Sequence, residues 1–475
     1  MKQNVLFFLI DSFSAEKCHG VCKTSTTPAI DYLIENGIYF SQTINAAPTT
    51  IPSLSSIFTG RYPFSCLTLD KDLYRMQEDI PTFIDIMKDN NYKTHALIPN
   101  ALSHMGLQRV FGDNLDTYDY ELTLYDGIGE LILNKLSILS ENTPWFYYVH
   151  IYDIHGQAIF NKNFVPEGFN DKKNGINRYE RMITLMDVWL GKILNKVDLK
   201  DTLIILTADH GSDLARYDSK MDEYSLYNHE LRKFKEGKIF KSSHRIATHM
   251  PNSLHFIKKR FAKTYLDRKN KIIDSRLGSE FRKLDNINLQ PNMIRLTQNS
   301  IKVTTQLFDE KFCVPLIFCG HGIKNKRQID NQIRSIDIFP TILQLLNLEH
   351  MIQIHGRSLY PFIDGSDMNE LSAFIESASN STTQANSNTV GIRTSSHKYF
   401  RDKNNPKDNI HLYDLKNDPL EENNISEQNS DLVAQMESNL QDILNDITIN
   451  NKKIDVISVD EANEAKEILR KLGYM

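Results

Sequence analysis

Six consecutive apolar residues, Val5-Leu6-Phe7-Phe8-Leu9-Ile10, end abruptly at Asp11. An uninterrupted apolar run has no polar face, so it predicts a central parallel strand buried on both sides. Similar short runs recur at 93–98, 145–151, 202–207 and 314–319. Between them the apolar spacing turns helical, at 27–37, 80–90, 125–139, 179–197 and 337–348. Thr27-Pro28 opens the first of these helices and Gly37 closes it. Strands alternating with helices predict an α/β fold, a mostly parallel sheet between helical layers.

Two stretches break the alternation. Residues 213–300 are charged and largely helical in pattern. From 377 to 387 the chain is rich in Ser, Thr and Asn, and strand-like segments follow at 389–393, 398–401 and 410–415 before a charged helix at 431–447. The expected organisation is a catalytic α/β domain over 1–375, with 213–300 as a basic helical insertion or lid. A small C-terminal α+β subdomain, with antiparallel strands and a terminal helix, is expected over 376–475.

Composition narrows the class without naming a partner. With 475 residues, 40% hydrophobic and 24% charged, the chain reads as globular and large enough for a sizeable core. A net charge of −5 conceals an asymmetry: residues 229–285 hold 16 Lys/Arg against 6 Asp/Glu, about +10, leaving about −15 elsewhere. A basic lid would attract a polyanionic or membrane-surface molecule, whereas lysines on a solvated hairpin would do nothing specific. The five cysteines (Cys18, Cys22, Cys66, Cys313, Cys319) are odd in number and lack framework spacing. This points to a reducing compartment, by default the cytoplasm. Cys18 and Cys22 have no second pair at zinc-site spacing. No stretch approaches the roughly 20 apolar residues of a membrane span. The run before Asp11 is shorter than a signal peptide's apolar region.

Ligand sites in parallel sheets lie beyond the carboxyl ends of the strands. The first run leads to Asp11, the one at 202–207 to Asp209-His210, and the one at 145–151 to His150, Asp153 and His155. Two carboxylates and one imidazole suit Mn²⁺ or Zn²⁺, while an all-oxygen set would favour Mg²⁺ or Ca²⁺. Thr49, Thr50 and Ser53 cluster at the start of an expected helix over Ser53–Thr59. A hydroxyl there can be activated by a metal or a base, and the helix N-terminus favours an anion. Capping would account for one of the three hydroxyls. His155 is placed to protonate a leaving group or hold an oxygen, with His150 and Asp153 as substrate contacts.

The order of segments resembles the sulfatase family of the alkaline phosphatase superfamily across nearly the whole chain. The family's first strand and the Cys-aromatic-Gly turn after it are similar to Leu9-Ile10-Asp11-Ser12 with Cys18-His19-Gly20. Its Thr-Pro-Asn-Ile-Asp helix resembles Thr27-Pro28-Ala29-Ile30-Asp31. Its nucleophile motif, Cys/Ser/Thr-x-Pro-Ser with Thr-Gly downstream, resembles Thr50-Ile51-Pro52-Ser53 with Thr59-Gly60. The His-x-x-Asp-x-His segment is similar to His150–His155, and the Thr-Ala-Asp-His-Gly strand end to Thr207-Ala208-Asp209-His210-Gly211. Later landmarks follow in order: Leu307-Phe308-Asp309-Glu310, Val314-Pro315-Leu316-Ile317, Ser335 to Leu343, Gly356-Arg357-Ser358-Leu359, Arg393 to Arg401, and Leu412 to Asn424. The resemblance implies an alkaline-phosphatase-like fold and a metal-dependent reaction on an anionic ester.

The departures carry weight too. Sulfatases have Cys-x-Pro-Ser-Arg, whose Cys or Ser is oxidised to formylglycine. Thr50 cannot yield that aldehyde because its β-carbon bears a methyl, and Leu54 replaces the Arg. Ser12 stands for the second N-terminal acid and His210 for the usual Asn. The family's Lys-x-His motif has Asn100 and His104 as nearest counterparts, its later Lys has Lys302, and His229, His244 or His249 could complete the site. These departures lead to the expectation of a hydrolase or transferase acting on a phosphodiester or phosphonate through a Thr50 nucleophile. A sulfuric ester hydrolase is the alternative, and a non-catalytic binding protein on the same fold a third. The expected partner is an anionic ester substrate, with room for a homo-oligomer and no nucleic acid.

Overall fold

The computed structural model describes residues 3–70, 73–139, 144–156, 166–217, 307–377 and 388–445, together with 463 and 465–468. In chain order the first strands are β1 (Asn4–Ile10), β2 (Gly37–Ile44), a hairpin of β3 (Leu67–Asp70) and β4 (Leu73–Met76), β5 (Lys93–Pro99) and β6 (Leu115–Tyr118). β7 (Trp145–Ile151), β8 (Thr202–Thr207), β9 (Cys313–Gly320), β10 (Arg327–Ile329) and β11 (Ile333–Arg334) follow. Among the described residues nine of these strands form one sheet, ordered β10-β2-β9-β8-β1-β7-β5-β6 with β11 beside β2.

Every residue of β1, β7 and β8 is buried. That is why they read as unbroken apolar runs, and each large side chain so covered contributes about 1.5–3 kcal/mol. β1 pairs in parallel with both neighbours, Leu9 lying opposite His150 of β7 and Thr207 of β8. The three strands therefore end at one edge, and the residues just past those ends are neighbours. β9 departs from the parallel pattern, running antiparallel to both β2 and β8. Its apolar run carries no mark of direction.

Helices pack their apolar faces on this sheet, and Phe83, Leu54 and Phe339 share one core cluster with Phe7 and Phe146. The helix expected from residue 80 begins at Phe83, because Thr82 and Asp85 cap each other reciprocally. The helix expected from Ser53 begins earlier, at Thr50, and runs to Thr59 with all its residues buried. Gly60 ends it in the left-handed region at φ 65°, its N–H donating to the Ser56 carbonyl.

The C-terminal strands β12 (Ala373–Glu376), β13 (Thr389–Arg393), β14 (His397–Asp402) and β15 (His411–Asp414) form a separate antiparallel sheet. Met436 and Leu440 of the helix Ser430–Asn445 cover it, against Val390, Ile392 and Leu412. The bulk of the basic insertion lies outside the described residues. Among the described residues no helix is long and apolar enough to cross a membrane.

A buried ionic knot ties this second sheet to the short helix Asp309–Phe312 that leads into β9. Asp309 receives Arg393 Nη2 at 2.8 Å and Lys398 Nζ at 2.5 Å, and Lys398 also meets Glu421 at 2.7 Å. Burial would raise the Asp309 carboxyl, but Arg393 and Lys398 more than offset it and hold it below the usual carboxylate range. Arg393→Met should cost about 3–5 kcal/mol, because it leaves buried carboxylate charge undercompensated. Denaturant unfolding at neutral pH measures this. The gap between the two proteins should narrow as pH falls below about 4, where the unfolded chain takes up the proton.

Candidate metal and anion site

Asp11 is the first residue past β1, and its N–H still donates to the Ile151 carbonyl at 2.8 Å. The chain turns sharply there: Ser12 adopts φ 63°, costly for a residue with a side chain. What holds it is a set of bonds around the acid. Ser12 Oγ donates to Asp11 Oδ1 at 2.6 Å, and the Ser12 N–H donates to Asp209 Oδ1 at 3.1 Å. Tyr179 fixes the turn from behind, its hydroxyl donating to the Ser12 carbonyl at 2.7 Å and accepting from the Ser14 N–H at 3.0 Å.

Asp209 and His210 follow β8 by the same logic. The His210 N–H donates to Asp209 Oδ1 at 2.8 Å. Its Nδ1 lies 2.9 Å from the Gly211 carbonyl, so Nδ1 carries the proton and Nε2 presents a lone pair. Gly211 is required where it stands, since a Cβ there would lie 2.1 Å from the Glu310 carbonyl oxygen. Asn45, one residue past β2, donates from Nδ2 to the carbonyls of Asp209 and Ala208 and steadies the same turn.

Asp11, Asp209 and His210 thus converge, with ligand atoms all within 4.8 Å of one another and all three residues buried. Asp209 Oδ2 is buried and accepts no hydrogen bond among the described residues. Burial and the charge of Asp11 both raise the Asp209 carboxyl. An unbonded carboxylate oxygen, an imidazole lone pair and a second carboxylate form a donor set that fits a divalent cation. Thr50 opens its helix against this set, with Oγ1 at 3.4 Å from Asp11 Oδ2 and 3.4 Å from His210 Nε2.

The other candidates divide. His150 is brought in, fully buried, with Nε2 at 3.3 Å from Asp11 Oδ2. His155 stacks on Tyr152 at 4.2 Å between ring centres. Burial takes its imidazole down to about 4 despite the pull of Asp11, so near neutral pH it offers an N–H and not a labile proton. Asp153 turns away and accepts the Leu124 N–H at 3.0 Å. Asn100 accepts the Tyr120 N–H at 3.3 Å, and His104 is buried with neither ring nitrogen hydrogen-bonded among the described residues. Lys302, His229, His244 and His249 lie outside the described residues. Sequence reasoning passed over Ser12's turn, Asn45 and Tyr179. Asn45 was signalled only by a polar residue closing the run Gly37–Ile44.

The family model described as Sulfatase matches residues 3–348, and that for the C-terminal region of N-sulphoglucosamine sulphohydrolase matches 304–447. Arylsulfatase K of Rattus norvegicus is 24% identical over 144 residues, 29% of this chain and 26% of that protein. The chain therefore spans about a quarter of the length of that relative. A solved 2-O GAG sulfatase aligns at 16% identity and TM-score 0.60, over 98% of this chain and 96% of that one. The phosphonate monoester hydrolase of Agrobacterium radiobacter aligns at 15% identity and TM-score 0.63, over 94% and 96%. At such identity the two structures speak for the fold alone. The curated relatives are sulfatases. They overturn the expectation of phosphodiester or phosphonate chemistry through a threonine nucleophile and favour the sulfuric ester alternative.

Asp153 serves a different end. Burial pushes its carboxyl up to about 7, the Leu124 N–H only partly offsetting this. Its folded form holds a proton that the unfolded chain loses near 3.9, so its contribution is full at low pH and fades as pH rises through 7. Asp153→Asn, which keeps an acceptor for Leu124, should gain stability over the parent by on the order of 2 kcal/mol between pH 5 and pH 8. Unfolding curves at the two pH values measure the difference.

Proposed function

The chain belongs to the sulfatase family, and on that ground we propose that it hydrolyses a sulfate ester carried on a sugar. The reaction is R–O–SO₃⁻ + H₂O → R–OH + HSO₄⁻, in which water adds to sulfur and the bond from sulfur to the alcohol oxygen breaks. The sugar is suggested by the names of similar proteins, a 2-O GAG sulfatase and a sulphohydrolase of N-sulphoglucosamine. The observation that carries the reading is the closed set of Asp11, Asp209 and His210 facing the Thr50 hydroxyl. The cofactor proposed for that set is Mn²⁺ or Zn²⁺, which when bound supplies positive charge against the sulfate oxygens.

The remaining work falls to the chain itself. Thr50 lacks the chemistry of an aldehyde precursor and acts as an alcohol. Its Oγ1 hydrogen-bonds the attacking water and directs it at sulfur. Its place at the head of the helix Thr50–Thr59 adds the positive end of a helix dipole beside an anionic group. His155, neutral, presents its N–H to the leaving oxygen as charge grows there. A reducing compartment is proposed as the protein's location, supported by five cysteines that are all unpaired.

With Mn²⁺ present, an aryl sulfate should be turned over faster than the matching aryl phosphodiester; the opposite preference would sink the proposal. Thr50→Ala should lower kcat on the sulfate by about 10²-fold, the usual cost of misplacing a reacting group. Thr50→Ser, which keeps the oxygen, should stay within about tenfold of the parent.

A further inference from the structure

Tyr148 and His150 lie two residues apart on β7 and so share one face of the strand. Both are fully buried. The Tyr148 hydroxyl is 2.9 Å from His150 Nδ1, and His150 Nε2 is 3.3 Å from Asp11 Oδ2. Tyr118 fixes the backbone between, its hydroxyl donating to the His150 carbonyl at 2.7 Å.

The direction of the chain follows from what each group can do. An ionised carboxylate only accepts, so the nitrogen facing Asp11 must carry the hydrogen. In a neutral imidazole the other nitrogen then holds a lone pair, and the phenol must donate to it. The order is Tyr148 O–H to His150 Nδ1, then His150 Nε2–H to Asp11 Oδ2. Asp11 Oδ1 is meanwhile taken by Ser12 Oγ at 2.6 Å. Ser12 thus holds one oxygen of the carboxylate, and His150 and the Thr50 hydroxyl, at 3.4 Å, share the other.

We propose that Tyr148 and His150 are positioning residues, the phenol satisfying the Nδ1 lone pair and so reinforcing the tautomer that the carboxylate requires, whose N–H holds Asp11 Oδ2 in place beside Asp209, His210 and Thr50. The proposal rests on reading Asp11 as a metal ligand. Without the phenol, the buried Nδ1 lone pair is left unpaired, which weakens the preference for this tautomer and opens the other, with the hydrogen on Nδ1 and a lone pair on Nε2. Two lone pairs would then face each other across 3.3 Å, and either the ring or the carboxylate must turn. Partners one bond removed from a metal ligand commonly affect metal affinity by about 10–100-fold.

The test uses the full chain and Tyr148→Phe, which keeps the ring that packs on Phe58 and Phe7 at 5.2 and 5.7 Å. Three measurements are made: Mn²⁺ affinity by calorimetry, thermal unfolding without metal, and ¹⁵N spectra of histidine-labelled protein with His150 assigned by substitution. The parent should show His150 as a single Nε2–H tautomer. The variant should show a mixture and bind Mn²⁺ about 10–100-fold more weakly, with its unfolding temperature little changed. His150→Gln offers an amide N–H that needs no tautomer, so adding Tyr148→Phe to it should weaken Mn²⁺ binding no further. The proposal is overturned if either the tautomer or the affinity stays put in Tyr148→Phe, or if His150 is doubly protonated in the parent. A parent that binds neither Mn²⁺ nor Zn²⁺ refutes the metal reading of Asp11, and the tautomer spectra then judge the hydrogen-bond chain by itself.

Discussion

Two carboxylates buried side by side set the terms for this molecule. Asp11 and Asp209 have no exposed surface, and the charge of Asp11 is among the influences that raise Asp209. Like charges in a region of low polarity are among the costliest arrangements a fold can hold. The surrounding structure does not relieve that cost by neutral partners alone, since one carboxylate oxygen is left unbonded. Instead it fixes both acids tightly, by a strained turn at Ser12, by Asn45 under the Asp209 carbonyl and by a glycine where any side chain would collide. Such an arrangement is stable against a positive charge and strained without one.

The parallel sheet makes the arrangement possible. Three neighbouring strands ending in register deliver their next residues to one small volume, and full burial of those strands leaves the delivery no freedom to slip. The helix that starts at Thr50 points its open end at the same volume. Fold and site are thus one construction.

Much of this could be read from the chain alone, for identifiable reasons. Asp11 and Asp209-His210 stand out because continuous apolar runs end at them. Thr50 stands out because it heads a cluster of hydroxyls before a helix. The part played by His150 was hidden, since an imidazole inside a strand looks the same whether it faces a substrate or steadies a neighbour. Asn45 was hidden because the strand before it mixes polar and apolar residues. The direction of β9 was hidden because an apolar run is symmetric. The substrate was misread for a different reason. Sulfate and phosphate esters are both tetrahedral anions, and hydroxyls, carboxylates and imidazoles around a cation suit either. Four altered positions, Ser12, Thr50, Leu54 and His210, weigh less than a family match spanning residues 3–348.

Because β9 runs against its neighbours, it enters the sheet at the edge where β1 and β8 leave it. The short helix Asp309–Phe312 that leads into it therefore abuts the turn after His210, where the Gly211 N–H reaches the Lys311 carbonyl at 2.9 Å. That same helix carries Asp309, the anchor for Arg393 and Lys398 of the second sheet. A disturbance in the C-terminal strands thus has a short route, through the ion pairs of Asp309 and one backbone bond, to the loop that bears His210.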